Sequence, residues 1–259
     1  MNYFIEGLQG SGKSTLLNTI SGLHPENKTL TEGDYSPIEL SWCAYMPLED
    51  YEKLLQKYDA IKDQIIEKSH REDDRMIVCY TKIRTDIHGF YQDFEKYEIY
   101  NNRVSLEDFE NIVLSRYEKW NEDDLIVECS LFQNIVEDMI LFRDLSDDEI
   151  IGFYRKIKEK IKDKKIHIYY LNTAAIKDNL DIARKERVDD KGNEVWFGML
   201  RNFFDNCPHA LRTGLKGEEG LIKHWTHRQE LELRICREVF DGNYTVLASK
   251  AYDKDELRR

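Results

Sequence analysis

Apolar residues first gather at positions 3–5 (Y-F-I), and the chain then turns glycine-rich through G-L-Q-G-S-G-K-S-T. The short run predicts a strand closing at Glu6. Leu16, Leu17 and Ile20 recur at helical spacing behind it, predicting a helix stopped by Gly22. Residues 28–32 read as a second short strand leading into T-E-G-D-Y-S-P, where Gly33, Asp34 and Pro37 favour turns. Over 51–70, Leu54, Leu55, Ile61 and Ile65 keep to one helical side, while 76–83 (M-I-V-C-Y-T-K-I) is β-like. Helices are predicted at 89–97 and 106–120, the second opened by Ser105 with Asp108. Residues 124–129 (D-L-I-V-E-C) form a continuous apolar run, as a buried parallel strand requires. A helix over 131–142 follows, then another capped by Ser146 and Glu149 with Ile150, Phe153, Ile157 and Ile161 in register. The remaining elements are a strand at 165–171, an Arg-rich helix at 174–188 broken by D-D-K-G-N, a helix at 196–204, a loop at 214–220, a helix at 221–240 and a strand at 244–248. Strands alternating with helices predict an α/β fold with a five-stranded parallel sheet between helical layers. No repeat, low-complexity tract or linker divides the chain, so a single domain over 1–259 is expected.

The chemistry enters at the first break in the pattern. Gly7 to Ser14 reads G-x-x-x-x-G-K-S between a strand and a helix, the arrangement of a phosphate-binding loop. Glycines let backbone N–H groups approach polyphosphate oxygens, and the following helix directs its positive dipole end at the same anion. Gly7, Leu8, Gln9, Gly10, Ser11, Gly12, Lys13, Ser14 and Thr15 are therefore expected to hold ATP or another nucleoside triphosphate. Lys13 would lie on the outer phosphates and Ser14 on Mg²⁺.

Charge and composition narrow the classes. The 259 residues carry a formal net charge of −12, which argues against a nucleic-acid partner. No stretch of eighteen apolar residues exists, so no membrane partner is expected. Five cysteines without C-x-x-C spacing read as reduced thiols in a cytoplasmic protein.

Three carboxylates stand at predicted strand ends, where open α/β sheets bind ligands. Glu128 suits Mg²⁺ positioning through water, or orientation of the phosphate site. Glu32 or Asp34 could take a proton from a hydroxyl acceptor or bind a polar substrate group. Arg184 and Arg187, three apart on a predicted helix, would share a face and neutralise a transferring phosphoryl group. Trp42 and Tyr45 offer stacking surfaces for a planar substrate, and Arg84 is a candidate for an anionic one. His224 and His227 lack a third zinc ligand.

The opening F-I-E-G-L-Q-G-S-G-K-S-T resembles the start of the P-loop nucleoside and nucleotide kinases, in particular the thymidylate kinase and deoxynucleoside kinase group. The resemblance continues at Glu128-Cys129-Ser130, where that group has E-R-S, and at Arg184-Lys185-Glu186-Arg187 before an aromatic–leucine helix. It implies a P-loop NTPase three-layer α/β/α sandwich and a lid over 174–205. It also implies that Glu32 acts as base and that the acceptor is a nucleoside or nucleotide. Residues 41–122 would then be a helical insertion on the substrate side. Two departures stand out: Cys129 replaces the arginine, and Thr31-Glu32-Gly33-Asp34 lacks the group's Glu-Pro pair. The expectation is thus ATP-dependent phosphoryl transfer to a small molecule, with room for a homodimer. A nucleotide-driven switch with a protein partner is the alternative, although no N-K-x-D motif follows Leu171 and one glutamate, not an Asp-Glu pair, ends the third strand. A degenerate kinase is the third option.

Overall fold

The computed structural model describes residues 1–253 and Leu257. In chain order the elements begin with β1 (Asn2–Gly7), α1 (Lys13–Leu23) and β2 (Lys28–Leu30). Then come β3 (Ala44–Pro47), α2 (Leu48–Lys57), α3 (Lys62–Glu67), β4 (Ser69–Glu72), β5 (Arg75–Val78), α4 (Phe90–Glu95) and α5 (Leu106–Lys119). The last third holds β6 (Leu125–Glu128), α6 (Gln133–Leu141), α7 (Asp147–Lys160), β7 (Ile166–Asn172), α8 (Ile176–Glu186), α9 (Val195–Asp205), α10 (Pro208–Thr213), α11 (Gly217–Val239) and β8 (Tyr244–Ala248). The chain divides into two compact units, residues 1–29 with 123–259, and residues 30–122.

Among the described residues, a five-stranded parallel sheet runs β2-β6-β1-β7-β8. The apolar runs of β1, β6 and β7 are buried almost throughout, as strands covered on both faces must be. Register pairs Ile5 with Glu128 on one side of β1 and with Tyr169 on the other. Side chains alternate across the sheet. Ile5, Tyr169, Leu171 and Leu247 pack with Leu16, Leu17 and Ile20 of α1. Their neighbour Tyr170 points the other way, against Phe132 and toward Glu232 of α11. Helices thus cover both faces, and β1 delivers the Gly7–Ser14 loop at the sheet's centre. Burying each of the three α1 side chains stabilises the unit by about 1.5–3 kcal/mol.

The 30–122 unit has its own core, in which Met46, Leu54, Tyr58, Ile65, Val78, Phe90 and Phe94 are buried together. The segment expected to be helical also carries an antiparallel sheet, β3-β5-β4. The run at 76–83 is strand only over Arg75–Val78 and pairs there, outside the parallel sheet. β3 and β4 escape sequence reading because they are four residues each, and S-H-R-E has no apolar face.

Other boundaries moved for local reasons. Gly22 lies inside α1, which ends when the His24 N–H donates to the Ile20 carbonyl. β2 stops at Leu30 because residues 31–34 form a turn closed by the Asp34 N–H on the Thr31 carbonyl (3.0 Å). The 51–70 helix breaks at Tyr58 into α2, a single 3₁₀ turn and α3. Residues 214–220 are not all loop, since α11 already begins at Gly217. Both serine caps form as expected: Ser105 Oγ accepts from the Asp108 N–H, and Ser146 with Glu149 makes a reciprocal capping box. Among the described residues no helix is long and apolar enough to cross a membrane.

Candidate functional site

The loop between β1 and α1 requires its glycines. Gly7 has φ of +139°, and a Cβ there would sit 2.8 Å from the Leu171 carbonyl oxygen of β7. Gly10 has φ of +77°, and a Cβ would meet that of Ala183 on α8 at 2.8 Å. The N-terminus of α1 has no side-chain cap and no acidic residue in its first turn. Its leading N–H groups and positive dipole end are therefore suited to an anion.

Lys13 is buried, with Nζ donating to the Gly7 and Leu8 carbonyls and to Gln133 Oε1, each at 2.9 Å. These bonds use all three ammonium donors. Contact with a phosphate would replace one of them, and Gln133, a side chain at the first turn of α6, is the partner that can rotate away. Ser14 Oγ donates to Glu128 Oε1 at 2.9 Å. The two residues read from sequence as Mg²⁺ ligands are thus neighbours. Among the described residues no three His, Cys, Asp or Glu side chains converge on a possible metal site. A hydroxyl and one carboxylate fit the hard cation that is held largely by phosphate and water.

Sequence reading missed what holds the loop from behind. Asn179 Nδ2 of α8 donates to the Gln9 carbonyl, and Ser249 Oγ donates to the Ser11 carbonyl, both at 2.8 Å. Arg228 of α11 has a fully buried side chain, and its Nη2 donates to Gln9 Oε1 at 2.8 Å. Its other guanidinium nitrogens face Glu137 and Glu232. Tyr170 Oη donates to Glu232, and the Leu131 N–H donates to Glu6 Oε1, both at 2.7 Å. Burial raises the Glu137 pKa, but Arg228 and His224 outweigh it and hold the carboxyl at about 2. Glu232 is raised by burial despite Arg228. Burial, reinforced by Glu232, lifts Glu6 to about 8 against the Leu131 N–H and Lys13. The available signal was the buried stripe of α11, whose core positions Leu221, His224, Trp225, Arg228, Glu232 and Ile235 mix charge with apolar residues.

Glu6 makes a pH prediction. Its folded pKa is raised, so the folded state holds the extra proton between about 4.5 and about 8. Stability is fully present below the unfolded value and falls as pH rises through the folded one. Urea unfolding should show Glu6→Gln losing less stability than the parent between these limits, by on the order of a few kcal/mol. Parallel pH profiles for the two proteins would rule this out.

The arginines differ from expectation. α8 ends at Glu186, and Arg187 is its C-cap with φ −119° and ψ 39°, one position beyond the helix that carries Arg184. Arg184 is bound by Glu194 (2.7 Å) and Glu218 (2.8 Å) and lies 4.1 Å from the Phe197 ring centroid. Arg187 is exposed, 4.4 Å from the Trp196 ring centroid. Cys129 is buried just beyond Glu128, with φ of +59°. His224 faces Glu137 and His227 faces Asp147.

In the 30–122 unit, Glu32 Oε1 accepts from Trp42 Nε1 at 2.9 Å. Asp34 accepts from the Thr31 N–H (2.9 Å) and hydroxyl, and pairs with Lys82 (3.1 Å). Burial raises the Asp34 pKa, but the Thr31 hydrogen bonds and Lys82 lower it overall. Trp42 is half exposed in a left-handed backbone conformation. Tyr45 lies in β3 under the Arg75 guanidinium, and Arg84 is exposed outside these hydrogen bonds. No protein-family profile matches the chain, and no curated protein matches it.

Proposed function

We propose that the chain is an ATP-dependent phosphotransferase acting on the hydroxyl or phosphate of a small molecule, a nucleoside or nucleotide first among them. One observation carries this reading: the Gly7–Thr15 loop joins a central parallel strand to an uncapped helix and sets Ser14 against Glu128. The reading takes the sheet as that of a P-loop NTPase. Mg²⁺ and ATP would supply the activated phosphoryl group and the charge that polarises it. The loop N–H groups and Lys13 bind the phosphates, and Ser14 and Glu128 hold the cation. Arg187, whose guanidinium lies over the Trp196 ring and, among the described residues, is paired with no carboxylate, stabilises the charge that develops during transfer. Glu32 and Asp34 are assigned to the acceptor, with Trp42, Tyr45 and Arg84 as supporting contacts.

The test is a transfer screen with ATP and Mg²⁺ against pooled nucleosides, nucleotides and other hydroxyl metabolites. A labelled product is expected, and hydrolysis without transfer would overturn the reading. With an acceptor in hand, Arg187→Ala should lower kcat by about a hundredfold while changing the ATP dissociation constant little. Full turnover would remove Arg187 from the mechanism, and Arg184→Ala then serves as the comparison.

The separate core of residues 30–122 favours a second reading, a nucleotide-driven switch whose 30–122 unit binds a protein. Limited proteolysis distinguishes them. Release of this unit as a stable folded fragment supports the switch, and its degradation on cleavage supports the enzyme.

A further inference from the structure

We infer that Cys43 and Cys79 form a redox-active dithiol, a thiol-modification site whose co-reactant is a small organic disulfide. Both cysteines belong to the 30–122 unit and are free. β3 and β5 pair Ala44 with Val78, and the two cysteines flank that pair, one residue beyond the end of each antiparallel strand. Their sulfurs lie 3.7 Å apart. Neighbouring antiparallel residues have Cα atoms about 4.5–5.5 Å apart, inside the window of about 4.4–6.8 Å that a disulfide accepts. Closing the bond therefore takes side-chain rotation and no strand rearrangement.

The site also has an approach. Cys79 lines a cavity of about 390 Å³ together with Lys68, His70, Lys82 and Asp34, whereas Cys43 does not line it. The roles are asymmetric. The Cys43 S–H donates to Cys79 Sγ, and this bond foremost lowers the Cys79 thiol pKa; burial and Asp34 oppose it, while Lys82 and Lys68 assist. The same bond, with burial, raises Cys43. The thiolate is the attacking species, so Cys79 attacks and Cys43 resolves.

The chemistry balances in two exchanges. The Cys79 thiolate attacks one sulfur of the small disulfide, forming a mixed disulfide and releasing one thiolate, which takes up a proton. Cys43 then loses its proton to solvent and attacks the Cys79 sulfur, releasing the second small thiolate, which is protonated in turn. Two protein thiols are oxidised by two electrons, and one small disulfide is reduced to two thiols. Cys43 Sγ also lies 3.9 Å from the Gly33 carbonyl, within the turn that carries Glu32 and Asp34. The inference is independent of the phosphotransferase reading.

The test treats the reduced full-length protein with hydroxyethyl disulfide under native, mildly alkaline conditions, followed by non-reducing peptide mapping. The expected product is a Cys43–Cys79 cross-linked peptide, lighter than its reduced parent by two hydrogens and reversed by dithiothreitol, with Cys129, Cys207 and Cys236 still free. Cys43→Ser should instead accumulate a mixed disulfide at Cys79, and Cys79→Ser should leave Cys43 unmodified. If Cys43 and Cys79 both remain thiols in the parent protein, or react only alongside the other three cysteines on unfolding, the inference is wrong. The parent map decides the matter even if a serine variant fails to fold.

Discussion

Arg228→Met is expected to lower the unfolding free energy by about 3–5 kcal/mol at neutral pH. The cause is not the loss of an attraction alone. Arg228 is a fully buried guanidinium between Glu137 and Glu232, and its removal leaves buried carboxylates without their cation. Methionine restores much of the volume, which separates the electrostatic effect from a cavity. In the parent, Glu137 has a folded pKa depressed to about 2, so its contribution is present above the unfolded value of about 4.5 and is lost as pH falls toward 2. In the variant, burial is opposed only by His224 at Glu137 and by Tyr170 and Lys13 at Glu232, so the carboxylates protonate more readily. The difference between variant and parent should therefore shrink on acidification to about pH 4. Adding Glu137→Gln and Glu232→Gln to Arg228→Met should recover a large part of the loss. Chemical denaturation at two pH values is sufficient. A single variant within about 0.5 kcal/mol of the parent, as for an ordinary surface change, would show that the network does not stabilise the fold.

Lys13→Ala should weaken ATP binding by about one to two orders of magnitude, because a charge-assisted contact is worth roughly 1.5–3 kcal/mol. The structure adds a second, separable effect. Lys13 Nζ satisfies two loop carbonyls and Gln133, so its removal strands buried acceptors at a cost of about 1–3 kcal/mol in stability. Calorimetric titration with ATP reads the first effect and denaturation the second. If stability falls while affinity is unchanged, Lys13 is a structural lysine inside a glycine-rich turn, and nucleotide binding at this loop is abandoned. Both falling is the expected result.

Features whose physics is local are legible in the amino-acid sequence. Continuous apolar runs, as in L-I-V-E of β6 and I-H-I-Y-Y-L of β7, suit strands covered on both faces, and all five parallel strands stand within a residue or two of their expected positions. Gly7 and Gly10 announce a loop that no other residue fits, and Ser105 and Ser146 announce their helices through a bond three residues away. Ser14 and Glu128 were read separately as cation ligands, and they meet because parallel register sets Glu128 beside Ile5. Other features depend on partners far apart in the chain and arise only with the fold. Gln9 and Arg228 are 219 positions apart, and Lys13 and Gln133 are 120 apart. Nothing in either local pattern specifies the other. β3 and β4 become strands only by pairing with β5, since four-residue segments lack periodicity of their own. Arg187 falls outside its helix because α8 ends at Glu186, and Arg184 is taken up by Glu194 and Glu218. Local pattern specifies backbone and burial, because those energies are summed over neighbours. Buried charge is specified by the fold, because an ion in the interior is stable only where distant segments bring it a partner.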